Sequence, residues 1–506
     1  MDPKVLLVYP PNQLMGEEIP RPDGSLGLLY LAGALRKESV EVTLLDASVG
    51  AAKDPLEDTF FRMVKQPNGL VRIGMSPEQI REFIGWGGFN IVGINSNFTP
   101  QTKMALEVAA AAKSVNSETL VIAGGVNARG LPLRMLETGL IDLICTTEGE
   151  RVIVEIVRAW KPGKIPAEIP GTVLLRQGKM VFNHPTPGTI STNLDELPFP
   201  AWDLLPFEKY ETISAPHADT SVRQLGRYAP MMTSRGCPFR CEFCHISTEK
   251  EDADTPSGNI GSLRLKSVER VVAELEMLKS LGVRHIYIED DSFLAKFKRV
   301  KEILRRAVGM GFTLANVNGV NLVHFMVKGK GRLEIDREYL ELLKSAGFST
   351  IVFPVESASQ RMLNQYATGK LDHSKMDVVE LVRVAREVGI TCPVNMMVGF
   401  PNETEEEILE SIELGKRLVE AGAHYCTLFI PIPFPGSQLY DQAIQGGHLD
   451  PDFSPDIMNW KRPVMRNTVV PPERLLELRD WGWVYMNRPE YVTGRLASNM
   501  ASRIAQ

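Results

Sequence analysis

Along the first third of the chain, apolar residues fall in short unbroken runs, each closed by a polar or Gly/Pro-rich loop. Between them lie stretches with helical spacing. Residues 4–9 form such a run and end in Pro10, Pro11 and Asn12, as a strand buried on both faces should. Residues 26–36 follow with helical spacing, and Gly27, Ala32, Gly33 and Ala34 offer a small-residue face for close packing on a sheet. Further runs cover 42–45, ending at Asp46, and 91–94, ending in Asn95, Ser96, Asn97, Phe98 and Thr99. A helix is expected over 102–114, then runs over 120–123, ending in Gly124, Gly125, Val126 and Asn127, and over 141–144, ending in Thr146, Thr147, Glu148, Gly149 and Glu150. Strands alternating with helices predict a doubly wound, Rossmann-like parallel sheet over residues 1–165. In such sheets ligands bind beyond the carboxyl ends of the strands.

The pattern then changes. Residues 173–175 and 180–182, separated by Gln177-Gly178, read as a strand hairpin. The stretch 194–206 carries Pro198, Pro200 and Pro206, which rule out a continuous helix. Residues 166–225 are therefore expected to form an extended strap whose aromatics anchor packing between domains. From 226 to 440 strands and helices alternate again, giving about six units. That number predicts a partial (β/α)6 barrel with its site at the carboxyl ends of the strands, by analogy with the closed eight-unit barrel. Residues 441–506 read as a helical cap, in which Trp481 and Trp483 are expected in the core.

Composition narrows the class. With 44% hydrophobic and 23% charged residues over 506 positions, the chain suits an ordinary globular protein of two or three domains. The net charge of −6 argues against a nucleic-acid footprint. No apolar stretch approaches the ~20 residues of a membrane span, and no leader is evident at Met1. A cytoplasmic, reduced setting is expected, with no nucleic acid as partner and no stable membrane insertion.

The sharpest chemical signal is Cys237, Cys241 and Cys244, spaced by three and two residues in a Gly236/Pro238 turn context. Close-spaced thiolates on a loop suit an iron–sulfur cluster, and three ligands leave one iron open for a substrate or cofactor. Zinc is the alternative. It wants a fourth ligand, and His245, adjacent to Cys244, is poorly placed to supply it. A disulfide cannot account for three local thiols. Cys145, Cys392 and Cys426 lie singly in apolar surroundings, as buried inert thiols do.

With Phe243 just before its last cysteine, this motif resembles the signature of the radical S-adenosylmethionine enzymes. The resemblance implies a 4Fe-4S cluster on the three cysteines. It places S-adenosylmethionine on the open iron, with its adenine beside Phe243. It further implies that Glu289 and Asp290 meet the cofactor's amino group, and that Glu356 and Ser357 meet its ribose or ammonium. Asn318 and the backbone at Gly399 would complete the binding set. Three of these positions have structural readings beside them: an N-cap for the acidic run at 289–291, a solvated loop carboxylate for Glu356, and a turn-shaping amide for Asn318. Thr404 and Glu407 read as a capping box.

The N-terminal pattern (a strand ending in Pro-Pro, a Gly-Leu-Leu-Tyr-Leu-Ala helix, a Gly-Gly turn and a Glu-Gly-Glu loop) resembles the cobalamin domain fused to one branch of that family. This resemblance implies a corrin against Ser96, Asn97, Phe98, Thr99, Gly124, Gly125, Val126, Asn127 and Glu148. The Asp-x-His-x-x-Gly motif of other cobalamin folds is absent, so no histidine ligand to cobalt is expected. The function implied is methylation of an unactivated carbon of a small-molecule substrate. The substrate is activated by hydrogen abstraction through a 5′-deoxyadenosyl radical, the methyl comes from methylcobalamin, and a donor such as flavodoxin or ferredoxin supplies the electron. The alternatives are a radical cyclase or rearrangement enzyme, and a non-catalytic metal- or corrinoid-binding protein. The cofactors carry the reaction in this reading, and no side chain is assigned as catalytic.

Overall fold

The computed structural model describes residues 3–16, 18, 22, 24–213, 226–250, 256–329, 333–459 and 462–504. The end of the expected strap, residues 214–225, lies outside them. Contacts divide the chain into two compact units, Met1–Pro230 with Glu249–Gly261, and Met231–Thr248 with Ser262–Gln506.

The apolar runs of the first unit become β1 (Val5–Tyr9), β2 (Val42–Asp46), β3 (Ile91–Asn95), β4 (Leu120–Gly124) and β5 (Leu143–Cys145). All are parallel, in the spatial order β5-β4-β3-β1-β2. Four helices of eleven residues or more cover them: α1 (Leu26–Lys37), α2 (Pro77–Gly87), α3 (Thr102–Val115) and α4 (Gly149–Ala159). Both faces are apolar, because alternate residues of each strand serve opposite sides. Leu6, Val8, Val92 and Ile94 pack with α2 and α3, and Val5, Leu7, Ile91 and Ile122 with α1 and α4. The order of the strands reverses beside β1, so the crevice between the ends of β1 and β3 is the topological switch point.

Several expectations need correction. The hairpin, now β6 (Thr172–Arg176) and β7 (Lys179–Asn183), is not part of a strap: it extends the main sheet, with β6 antiparallel to β5. Residues 194–206 are not wholly extended, since Leu194–Glu196 and Trp202–Leu204 are short 3-10 turns. Trp202 is fully buried and donates Nε1–H to the Pro230 carbonyl at 2.8 Å, within the first unit. Gly33 serves this stretch rather than the sheet, because a Cβ there would stand 2.3 Å from the Phe199 carbonyl oxygen. Helix α2 is new, although Ser76 caps it through a capping box with Gln79 and Gly88 closes it in the left-handed region. A small antiparallel sheet of Asn12–Leu14, Val71–Ile73 and Met63–Lys65 is also new. Its Gln13 exchanges hydrogen bonds with Gln101 and donates Nε2–H to the Pro100 carbonyl, next to the end of β3.

In the second unit the strands are β8 (Tyr228–Met231, which crosses the join), β9 (His285–Ile288), β10 (Thr313–Asn316), β11 (Phe348–Ile351), β12 (Phe353–Glu356), β13 (Val394–Met397) and β14 (Cys426–Phe429). β11 and β12 are one expected strand broken at Val352. The break gives two sheets, β8-β9-β10-β11 and β12-β13-β14, linked by a bridge from Thr350 to Thr391. Counted so, six β/α units are present. The fifth helix to matter here, α5 (Glu405–Ala421), has the expected capping box of Thr404 and Glu407. In the C-terminal region α6 (Pro472–Met486) leaves Trp481 exposed and Trp483 half-buried, against expectation. α6 buries Leu475, Leu478, Gly482 and Met486, a stripe at helical spacing that points the indole of Trp481 outward. None of the helices, among the described residues, is long and apolar enough to cross a membrane.

Candidate active site

The cysteine loop starts where β8 ends and is held on several sides. Asp290, directly after β9, is fully buried and is neither at a rim nor an N-cap. Its carboxylate accepts from the Thr233 N–H and Oγ1–H, each at 2.6 Å, and from Ser234 Oγ–H at 2.5 Å. Burial pushes its pKa up, against the pull of Ser234 and Thr233. Asp291 accepts from the Gly236 N–H at 3.1 Å. Two of the three acids at 289–291 therefore shape the loop. Farther along, Arg240–Cys241 pairs antiparallel with Ala367–Thr368, the Glu242 N–H donates to Tyr366, and Glu242 accepts from Leu439 and Gln442. Ser247 Oγ donates to the Cys241 carbonyl at 2.7 Å.

This clamp brings the three thiols into one another's field. Burial pushes the Cys244 thiol up to about 12, and Cys241, Asp291 and Cys237 add to the shift. Among the described residues no three His, Cys, Asp or Glu side chains converge on one point, as a single metal ion would require. Thiolates that each bind a different iron of a cube need no such convergence; Cys241 and Cys237 both act on Cys244, and three thiols gathered on one clamped loop fit a 4Fe-4S cluster. Cys145, Cys392 and Cys426 are buried, as expected.

Around the loop, Phe243 lies 6.1 Å from Phe400, which stacks on Tyr366 at 4.0 Å. Glu289 is half-buried, and its carbonyl accepts from the exposed Asn318 at 2.8 Å. Glu356 is buried with φ 66° and pairs with Lys370 at 2.5 Å, so it is not a solvated loop carboxylate. Ser357 is buried, its hydroxyl 3.3 Å from that of Ser411 and accepting from the Ser359 N–H. It shapes the turn. Gly399 has φ 100°, but the space a Cβ would take is filled by Leu475 Cδ2 at 2.3 Å. The close approach at Gly399 is therefore to α6. Gly399→Ala is expected to destabilise the protein by about 2 to 4 kcal/mol through overpacking and backbone strain. The urea midpoint checks this, with partial recovery expected in Gly399→Ala/Leu475→Ala.

Sequence reasoning missed two ionisable residues. One is Lys370. The other is Glu403, fully buried, whose Oε2 accepts from the N–H groups of Gly399 (2.5 Å) and Phe400 (3.2 Å) while Oε1 has no partner. Burial pushes its pKa up to about 7, against the pull of those two N–H groups. The native state then binds more protons than the unfolded chain between the ordinary carboxyl value of 4.5 and about 7, so stability falls as pH rises through that window. Glu403→Gln keeps the acceptor and removes the titration. It is expected to match the wild type below pH 4.5 and to exceed it above pH 7 by on the order of 3 kcal/mol, read from urea melts across pH.

In the first unit the loops after β3 and β4 interlock at the switch point. Gly125 has φ 117°, and a Cβ there would stand 2.3 Å from Asn97 Oδ1, so only glycine fits. Ser96 and Thr99 are buried, whereas Asn97 and Phe98 are exposed at the strand ends. Asn127 is buried, and its Nδ2 donates to Ser96 Oγ (2.8 Å) and Thr102 Oγ1 (2.9 Å). Its amide nitrogen thereby braces the loop, while its buried Oδ1 has no partner. Gly124, Val126 and Glu148 are half-buried, and Thr146 and Thr147 donate to Pro256 and Ser257. An exposed phenyl ring and a small-residue turn at the switch point fit a flat, largely apolar corrin.

A six-unit β/α fold with a clamped three-cysteine loop, preceded by a doubly wound cofactor domain, defines a radical S-adenosylmethionine enzyme. A model of the radical SAM superfamily matches residues 231–415, and one of the B12 binding domain matches 23–157. An uncharacterized methyltransferase of Pyrococcus horikoshii is 30% identical over 94% of this chain and 90% of its own length. The cytidylyl-2-hydroxyethylphosphonate methyltransferase of Streptomyces wedmorensis is 27% identical over 91% and 85%. In fold, the chain is similar to the radical S-adenosylmethionine methyltransferase TsrM of Kitasatospora setae, solved with cobalamin and a [4Fe-4S] cluster. That match has a TM-score of 0.60 and 18% identity, over 88% of this chain and 79% of the other. The chain belongs to the cobalamin-dependent radical S-adenosylmethionine enzymes, in their methyltransferase branch, and its cofactors are a 4Fe-4S cluster, S-adenosylmethionine and cobalamin.

Proposed function

We propose that the chain methylates an unactivated carbon of a small molecule. The observation that carries this reading is the clamped loop of Cys237, Cys241 and Cys244 in a chain that also has a corrin-type switch point. When bound, the cluster with S-adenosylmethionine supplies hydrogen abstraction, and cobalamin supplies the methyl group. The three thiolates hold the cluster, and Asp290 and Asp291 fix the backbone that carries them. Phe243 and Phe400 offer apolar surface to an adenine, while Glu289, Asn318 and Glu356 offer polar groups to the amino acid or ribose portion. Asp290, Ser357 and Gly399 position these groups through the backbone. In the first unit Asn97 and Phe98 meet the corrin, and Ser96, Thr99, Gly124, Gly125, Val126 and Asn127 hold them in place. The electron comes from a donor such as flavodoxin or ferredoxin in a reducing cytoplasm.

The test is anaerobic reconstitution with iron, sulfide and cobalamin, then product stoichiometry. Each methylated product is expected to consume two molecules of S-adenosylmethionine, yielding one S-adenosylhomocysteine and one 5′-deoxyadenosine. Product without S-adenosylhomocysteine would overturn methyl transfer in favour of ring formation or rearrangement.

A further inference from the structure

Lys370 follows the segment that pairs with the cysteine loop. The Ala367–Thr368 strand lies against Arg240–Cys241, and the Lys370 N–H then donates to the Ala367 carbonyl at 3.1 Å. The side chain is only 14% exposed. Its Nζ donates to Glu356 Oε1 at 2.5 Å and stands 5.9 Å from the ring centroid of Phe243, the residue before Cys244. Burial opposes the charge on this amine, and Glu356, Cys241 and Cys237 favour it. Its ammonium is thus within the field of two of the three ligand sulfurs. Glu356 reaches it from a left-handed backbone conformation (φ 66°), a costly geometry for a residue other than glycine and one that clusters at functional sites.

We propose that Lys370 is a positioning cation that raises the reduction potential of the cluster on Cys237, Cys241 and Cys244, with Glu356 fixing its ammonium. The proposal rests on the cluster reading above. One-electron reduction adds a negative charge to the cube, the electron comes from an external donor, and no bond is made or broken. A fixed positive charge beside the sulfurs favours the reduced form, and more strongly in a site partly withdrawn from water. The carboxylate of Glu356 acts in the opposite direction, so the two substitutions have opposite signs.

The test is potentiometric titration of the full-length, reconstituted, cobalamin-loaded protein without S-adenosylmethionine, following the electron paramagnetic resonance signal of the reduced cluster. In Lys370→Gln the reduction equilibrium is expected to shift at least tenfold toward the oxidised form, about 59 mV for one electron. Lys370→Arg keeps the charge and is expected to stay within threefold of the wild type. Glu356→Gln is expected to ease reduction. A Lys370→Gln protein that holds four irons but shifts by less than tenfold, or the other way, overturns the proposal. Should that variant fail to hold its irons, Glu356→Gln decides: reduction unchanged or harder overturns the proposal. Wild-type protein that takes up no iron would instead overturn the cluster reading, which keeps the two failures distinct.

Discussion

Cys241→Ala is expected to abolish the four-iron cluster and to lower product formation by about a thousandfold or more, roughly 4 kcal/mol of barrier. Cys241 is the least exposed of the three, and its backbone is paired to Ala367. The fold should survive its loss, since an alanine fits that strand pair. Two thiols then remain for a cube that needs three, and catalytic groups that act as a unit are lost as a unit. Iron and sulfide counts with a turnover assay check this. Full iron content with native turnover would remove the basis of the functional reading.

Asp290→Ala is expected to destabilise the second unit by about 3 kcal/mol or more, because it strands the Thr233 N–H and two buried hydroxyls at once. Asp290→Asn, which keeps an acceptor, should lose less. Urea unfolding gives the size of the loss. Iron retention tells whether the loop has come loose, since Asp290 holds it by hydrogen bonds from Thr233 and Ser234. A variant as stable as the wild type, with a full complement of iron, would show that the loop needs no such anchor.

The strands of both units were legible because buried parallel strands are unbroken apolar runs. The cysteine loop was legible because ligand spacing is local. What failed to show was non-local. The acidic run Glu289, Asp290 and Asp291 reads as one rim, and only the fold reveals that Asp290 turns inward to Thr233 while Glu289 stays half-buried. The hairpin β6–β7 was recognised, yet nothing in its sequence says that Thr172 will pair with Cys145. Three-residue strands such as Asn12–Leu14 are too short for any periodicity. Helix α2 was different: Ser76, Pro77, Gln79 and Gly88 are sufficient start and stop signals. Lys370 and Glu403 carry no local signature, since burial of a charged residue is a property of what surrounds it.

The pairing of Cys241 with Ala367 also bears on biosynthesis. During translation the cysteines leave the ribosome well before the strand that pairs with their loop, so the thiols wait, held on one side by Asp290 and Asp291, until the fourth repeat of the barrel has been made. Closing so long a loop is slow relative to local helix formation. Cluster delivery is therefore expected late in maturation, since chains released early would carry the complete cysteine motif on a half-built platform.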